Sequence, residues 1–260
     1  MTERQAEYTV ELLTPCFCHG SDCGRNPEIR TASMRGQIRD WRRMRGCEKH
    51  AIEDVWGGDK GGMKASKVAL ELTKTPPGRH HSEPLLPHKG KPKREAIPRE
   101  TVFTVVLRRL VGCAGEYWRE AKRDVETWLL LGCLGQRANR AAGSVWCTDW
   151  PFPAFDDIKA HLDMLHVPRS WDIRICTSDM TSEKARETAS DTVENRRYFG
   201  TIKGNRIPSP VKMKVIRLGE AYRLMLTAAS RDLLDGAVDC LKNKQDASRW
   251  GDLAFRNISA

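Results

Sequence analysis

The chemistry of this chain is concentrated in arginine. The run Glu28 to Arg43, EIRTASMRGQIRDWRR, combines a helix start, an apolar stripe and a dense cationic side. A helix opening near Ser33 places Met34, Ile38 and Trp41 on one face and Arg35, Arg39, Arg42 and Arg43 on the adjoining one, because residues three and four apart stack on a helix. One face anchors and the other can hold phosphates. Arg35 and Arg39 stand about 6 Å apart along the axis, a step that can follow a bent strand. Arg30 and the Ser33 hydroxyl lie at the helix start, beside backbone N–H groups and the positive end of the dipole. Far away in sequence, Gly132 to Ser144 (GCLGQRANRAAGS) forms a glycine-punctuated basic turn. Its Gln136, Arg137, Arg140 and Ser144 supply donors, while Gly132, Gly135 and Gly143 permit close backbone approach. Lys64, Ser66 and Lys67 make a third cluster. Two or three such segments converging would form a groove for a polyanion. The competing readings are a solvated basic helix face with Asp40 and Glu48 as local partners, and a tight turn packed on a sheet for Gly143.

A different chemistry is available to Cys16, Cys18, His19 and Cys23. C-x-C-H-x3-C has zinc-compatible ligand types at a tighter spacing than the usual knuckle, and Cys47 with His50 could complete a site. The alternative is buried thiols and a loop histidine, with Cys16 ending a strand and pointing inward. Trp41, Trp118 and Trp128 sit at helical core spacing and read as packing residues.

The elements that must position these groups follow from pattern. With 260 residues, 40% apolar and 30% charged, the chain can bury a real core, and its formal charge of +10 favours an acidic partner. Nine scattered cysteines without a regular framework, and no long apolar run, point to reduced thiols, a cytoplasmic location and no membrane insertion. Tyr8 to Leu13 alternates as a strand ending at Pro15, and Gly46 is a plausible left-handed cap for the arginine helix. Val55 to Lys67 reads as a glycine-rich turn and Val68 to Leu72 as a strand. Residues 74–98, rich in proline, histidine and lysine, read as a long exposed insertion. Thr101 to Leu110 is the strongest strand, followed by a helix over Glu116 to Leu131 and a short strand over Ser144 to Cys147. Ala154 to Leu165 has helical amphipathicity. Residues 177–206 are polar, with charge of both signs, and read as a second insertion, either partly helical or poorly ordered when unbound. Val211 to Leu218 and Tyr222 to Thr227 form a hairpin around Gly219, and a helix closes the chain. Strand, loop, helix, then strand, helix, turn and strand is a split βαβ order. No repeat is visible in the sequence.

Five landmarks carry a family resemblance: LLTPCFCHGSD, IRTASMRGQIRDWRR, VWGG with ASKVALEL, LGCLGQRANRAAGSV and SPVKMKVIRL. In this order they resemble the RAMP superfamily of CRISPR-Cas proteins, and within it the first RAMP subunit of the type III-B Cmr effector complex. The resemblance implies an α+β, ferredoxin-like (RRM-type) antiparallel sheet with flanking helices and long insertions, a single RAMP domain over residues 1–260 with a C-terminal hairpin and helix at about 211–260. Such subunits often carry a second ferredoxin-like half, for which 260 residues leaves little room. It implies a non-catalytic role in antiviral defence: binding guide RNA or target RNA near the guide 3′ end, beside other RAMP backbone subunits. An RRM-type sheet with basic loops is also a common platform for single-stranded RNA. The resemblance further suggests that the segment 77–94, with His80, His81, His88, Lys89, Lys91, Lys93 and Arg94, presses on a guide–target duplex. Related RAMPs cut target RNA with an acidic residue in the loop before the first helix, where Asp22 lies, so a Mg²⁺-dependent endoribonuclease is the runner-up. Guide-processing relatives use a histidine base, which would make His19 the catalyst, but their glycine-rich loop lies near the C-terminus. A basic RNA-binding or scaffold protein outside CRISPR is a third reading. On the principal one no cofactor is required.

Overall fold

The computed structural model describes residues 3–19, 26–59, 62–74, 80–90, 92–191, 196–200, 208–242 and 253–259. The elements in chain order are β1 (Gln5–Leu12), α1 (Thr31–Met44), α2 (Lys49–Trp56), β2 (Val68–Thr73), β3 (His81–Pro84), β4 (Lys93–Ala96), β5 (Val102–Arg109), α3 (Gly115–Leu131) and β6 (Val145–Cys147). They continue with α4 (Phe155–Met164), β7 (Asp172–Cys176), α5 (Ser182–Ser190), α6 (Arg196–Phe199), β8 (Lys212–Leu218), β9 (Ala221–Ala228), α7 (Arg231–Lys242) and β10 (Phe255–Asn257).

The first sheet has the order β2-β5-β1-β6 with every pair antiparallel. With α1 between β1 and β2, and α3 between β5 and β6, this is the ferredoxin-like βαββαβ arrangement. Alternation sends Tyr8, Val10, Phe103, Val105 and Leu107 into the core, and Tyr8 Oη donates to Glu126 of α3, which fixes the helix side of the sheet. On α1 the stripe Met34, Ile38 and Trp41 is buried as its spacing predicts, and Gly46 takes φ +84° beyond the helix end. Trp118 and Trp128 are also buried, so the aromatic positions pack rather than stack on a ligand.

The hairpin and helix expected near the C-terminus are part of something larger. With β7, α5 and β10 they form a second βαββαβ run whose sheet order, β10-β7-β9-β8, repeats that of the first. One apolar core runs through both halves, from Tyr8 to Ile258. The stretch 177–206, expected as a polar insertion, contains α5, whose N-cap Thr181 accepts from Lys184 N–H at 3.1 Å. Helix is one of the two readings of this stretch; its packing into the core is not legible because the buried face is Ala185, Ala189, Thr188 and Arg186 rather than large apolar residues. The insertion at 74–98 holds a two-stranded hairpin, β3 with β4. Arg186 ties that hairpin down by donating to the Pro84 carbonyl at 2.6 Å while lying 5.2 Å from the Phe17 ring. Among the described residues no helix is long and apolar enough to cross a membrane.

Candidate nucleic-acid interface

The open face of the first sheet is unsuited to stacking bases. It carries Gln5, Glu7, Glu71, Thr104 and Arg108, joined across three strands by Gln5 to Glu7 (2.9 Å), Arg108 to Gln5 (2.7 Å) and Arg108 to Glu71 (2.7 Å). Its aromatic, Trp146, is 2% exposed under Lys214 of the second half. The RRM-type platform suggested by the fold class is therefore absent from this face, and any grip on RNA falls to the loops and α1.

The arginine helix starts at Thr31, with Arg30 as its extended N-cap, two residues before the predicted opening. Ser33 lies in the first turn, and its hydroxyl meets the Cys18 thiol. Arg35 and Arg43 are exposed and Arg39 is half-buried. Arg43 pairs with Asp40. Arg35 and Arg39 have no side-chain partner among the described residues. Along this side of the helix lies an open groove of about 630 Å³ lined by Ser33, Arg35, Gln37, Arg39, Arg43 and one carboxylate, Asp40.

Arg42 is not part of it. The helix turns its guanidinium inward, 2.9 Å from Asp124 and 3.0 Å from Glu120, with Arg45 and the Trp56 indole completing the cage around Asp124. Burial raises the Asp124 pKa against the pull of the two arginines. A buried pair of this kind joins α1 to α3 and leaves nothing for a phosphate.

The glycine-rich turn splits in the same way. Arg140 is buried: it donates to the Phe199 carbonyl at 2.8 Å, lies 4.8 Å from that ring, and burial together with Arg137 pulls its pKa down to about 10. Ser144 is fully buried, donating to the Ala141 carbonyl and accepting the Val215 N–H, both at 3.0 Å. Gly143, at φ +63°, leaves no room for a side chain against the Leu134 carbonyl. These three, expected among the RNA contacts, serve the fold of the loop. Arg137 is exposed, held at φ +60°, and has no side-chain partner among the described residues. Gln136 is exposed too, and accepts from Arg94 of the hairpin at 3.2 Å.

Packing brings the loop and the helix together. A side chain at Gly132 would come within 2.7 Å of the Trp41 indole nitrogen, so the loop begins against α1. Phe17 and Cys18 lie under Gly135, and Cys18 in turn meets Ser33 and Arg30. Near both segments lies Lys212, which sequence reading passed over. It feels Asp40 of α1 on one side and Arg140 of the loop on the other, and burial lowers its pKa. Strand alternation in SPVKMKV puts both lysines on the face opposite Met213, but both faces are covered here: Lys214 is fully buried and donates to the Leu129 carbonyl.

The third cluster does not join this groove. Lys64 pairs with Asp54 at 2.6 Å and Ser66 spends its hydroxyl on the Val68 carbonyl at 2.6 Å, while Lys67 immediately precedes β2. Arg30 pairs with Glu28 and donates to the His19 carbonyl. His19 places Nε2 3.1 Å from the Glu95 carbonyl. Asp22 and Cys23 lie outside the described residues, as does Lys91. Among the described residues no three potential ligands converge on a metal position, and Cys16 is buried inward as its strand position predicts. Its thiol stabilises the Cys18 thiolate, whose pKa falls to about 6 with help from Ser33 and Arg30.

No protein-family model matches the chain, and no curated protein matches it in sequence. Solved structures do match in three dimensions. Cmr1 from Pyrococcus furiosus, in its apo form, superposes with a TM-score of 0.64 at 14% identity, covering 99% of each chain. A chain from the cryo-EM structure of type III-B Cmr-beta bound to cognate target RNA gives 0.60 at 10% identity over 92% of this chain and all of the other. A second Cmr-beta structure, with cognate target RNA, AMPPnP and ssDNA present, gives 0.56 at 11% over the same shares. At such identities the likeness establishes the architecture: this chain shares its doubled ferredoxin-like fold with Cmr1 over nearly the whole of both chains.

Proposed function

We propose that this chain is a cytoplasmic, RNA-binding RAMP subunit of a type III CRISPR-Cas effector complex, one that grips guide or target RNA through its backbone and does not cut it. The observation that carries the reading is four cations on segments that pack together, Arg35 and Arg39 on α1, Arg137 on the glycine-rich turn and Lys212 of β8, with no carboxylate at hydrogen-bond distance from any of the three arginines among the described residues. Uncommitted guanidinium groups on a rigid frame suit phosphates, whose contacts position a strand without reading its bases. Full-length likeness to chains of Cmr structures, two of them bound to target RNA, supports the same assignment, with neighbouring RAMP subunits as the other partners.

The test is titration of the full chain with labelled single-stranded RNA. Charge reversal of Arg35 together with Arg137 abolishes binding on this reading, and retained affinity would refute it. Incubating the assembled complex with labelled target and Mg²⁺ separates binding from cleavage: Asp22→Ala leaves the products unchanged, and a lost cleavage band would make the chain a nuclease.

A further inference from the structure

The residue beside Arg137 in the glycine-rich turn has a side chain whose chemistry is fixed by its neighbour. Gln136 is exposed and lies between two residues of positive φ, Gly135 at +86° and Arg137 at +60°. Its backbone N–H donates to the Phe17 carbonyl at 3.0 Å, in a bridge to the segment that follows β1. The peptide is thus pinned while the amide side chain is left to solvent.

Arg94 of β4 decides which end of that amide faces out. Its Nη1 donates to Gln136 Oε1 at 3.2 Å. A guanidinium carries donors and no acceptor, so only the amide oxygen can turn towards it. The NH2 group is left outward, with no acceptor of its own among the described residues. Arg94 makes this bond although Glu83 lies opposite it in the β3–β4 ladder, and among the described residues no carboxylate pairs with it. The hairpin is held where the contact needs it. Ile97 and Cys16 exchange backbone hydrogen bonds, both at 2.9 Å, and Ala96 packs with Phe17 and with Ala142 of the same turn.

Arg94, the outward end of Gln136 and Arg137 therefore present donors only. Base edges differ in the group that would meet them. Guanine and uracil offer the keto oxygens O6 and O4, whereas adenine and cytosine offer the amino groups N6 and N4 at the corresponding positions. A donor set against a donor leaves both unsatisfied, which costs more than the bond it replaces. On the RNA-binding reading, we propose that Gln136 reads one base of the strand whose phosphate Arg137 holds, accepting guanine or uracil over adenine or cytosine, with Arg94 as the positioning residue that sets the amide. The hairpin then adds sequence preference to a grip that otherwise follows the backbone.

The test compares oligouridylate with oligocytidylate of equal length, pyrimidines of the same charge, by fluorescence anisotropy with the full chain. Uridylate binds about fivefold tighter, the worth of one hydrogen bond gained against one mismatch. Gln136→Ala brings the two affinities together near the cytidylate value. Gln136→Glu, whose carboxylate accepts from cytosine N4, reverses the order. Arg94→Ala frees the amide to turn and erases the ratio, and Arg94→Lys, which also lacks an acceptor, restores it. Both positions are exposed, and continued binding of cytidylate by the alanine variants is the check on folding. Equal binding of the two RNAs by the unaltered chain, or a ratio that survives Gln136→Ala, overturns the proposal and leaves the backbone grip standing. A ratio that survives Arg94→Ala, with both RNAs weakened alike, also overturns it, by making Arg94 a phosphate contact. Binding of neither RNA overturns the RNA reading itself.

Discussion

Replacing Arg35 and Arg137 by alanine removes one cation from each wall of the groove and nothing from the core, since both side chains are exposed. On the proposed reading the RNA meets four cations without a carboxylate at hydrogen-bond distance among the described residues: Arg35, Arg39, Arg137 and Lys212. Single-stranded RNA releases about 0.7 counterion per phosphate neutralised, so four contacts give a slope of log affinity against log salt of about −2.8, and the double variant about −1.4. Between roughly 50 and 200 mM monovalent salt, wild-type affinity then falls about 50-fold and that of the variant about 7-fold. Fluorescence anisotropy with a mixed-sequence RNA measures both slopes, and each single variant should account for about 0.7 of the difference. A double variant with the wild-type slope would refute the groove. A slope that responds to Arg35→Ala but not to Arg137→Ala would remove the loop from it.

Other expectations follow from neighbouring groups. Asp40 is the anion facing Lys212 and pairing with Arg43, so Asp40→Asn should tighten RNA binding and steepen the salt slope. Arg42→Ala opens the buried cage around Asp124 and should cost about 3 kcal/mol in urea unfolding, yet leave the salt slope of the folded protein unchanged. Ser144→Ala strands the Val215 N–H and should cost about 1–3 kcal/mol, again with no change in slope. Lys214 is held near neutrality by burial, its pKa lowered to about 7. The unfolded chain binds the extra proton above that value, so stability should rise with pH from about 7 until unfolded thiols begin to ionise near about 8.5. Lys214→Met should flatten that rise in denaturation curves taken across the window; a persistent rise would show that another group is responsible.

Much of the first half was legible because its signals are local. Val102–Arg109 is a β-branched strand, α3 has wide apolar spacing, and the Met34, Ile38 and Trp41 stripe fixes the orientation of α1. The second half was half-hidden. Its β8 and β9 announce themselves around Gly219, but β10 is three residues long and α5 buries small or polar side chains, so neither pattern rises above background. At the site, periodicity put four arginines on one flank of α1, and a rotation of one residue separates groove from core: Arg39 and Arg43 remain on the groove, while Arg42 is drawn inward by an aspartate eighty-two positions away. A partner that distant leaves no mark on local spacing. The same holds for Arg140, whose acceptor Phe199 belongs to the other half, and for Lys212, visible as a strand residue but placed in the groove only by the tertiary fold.

The turn that presents Arg137 also stitches the molecule together. Ala141 N–H donates to Met213, Ser144 accepts from Val215, and Arg140 reaches Phe199, all across to the second sheet or its approach. Seam and grip are thus the same dozen residues. On the proposed RNA-binding reading, a chain severed between its halves would lose its hold on RNA until the pieces rejoined, and a mutation that loosened the suture would read out, in a genetic screen, as a defect in binding.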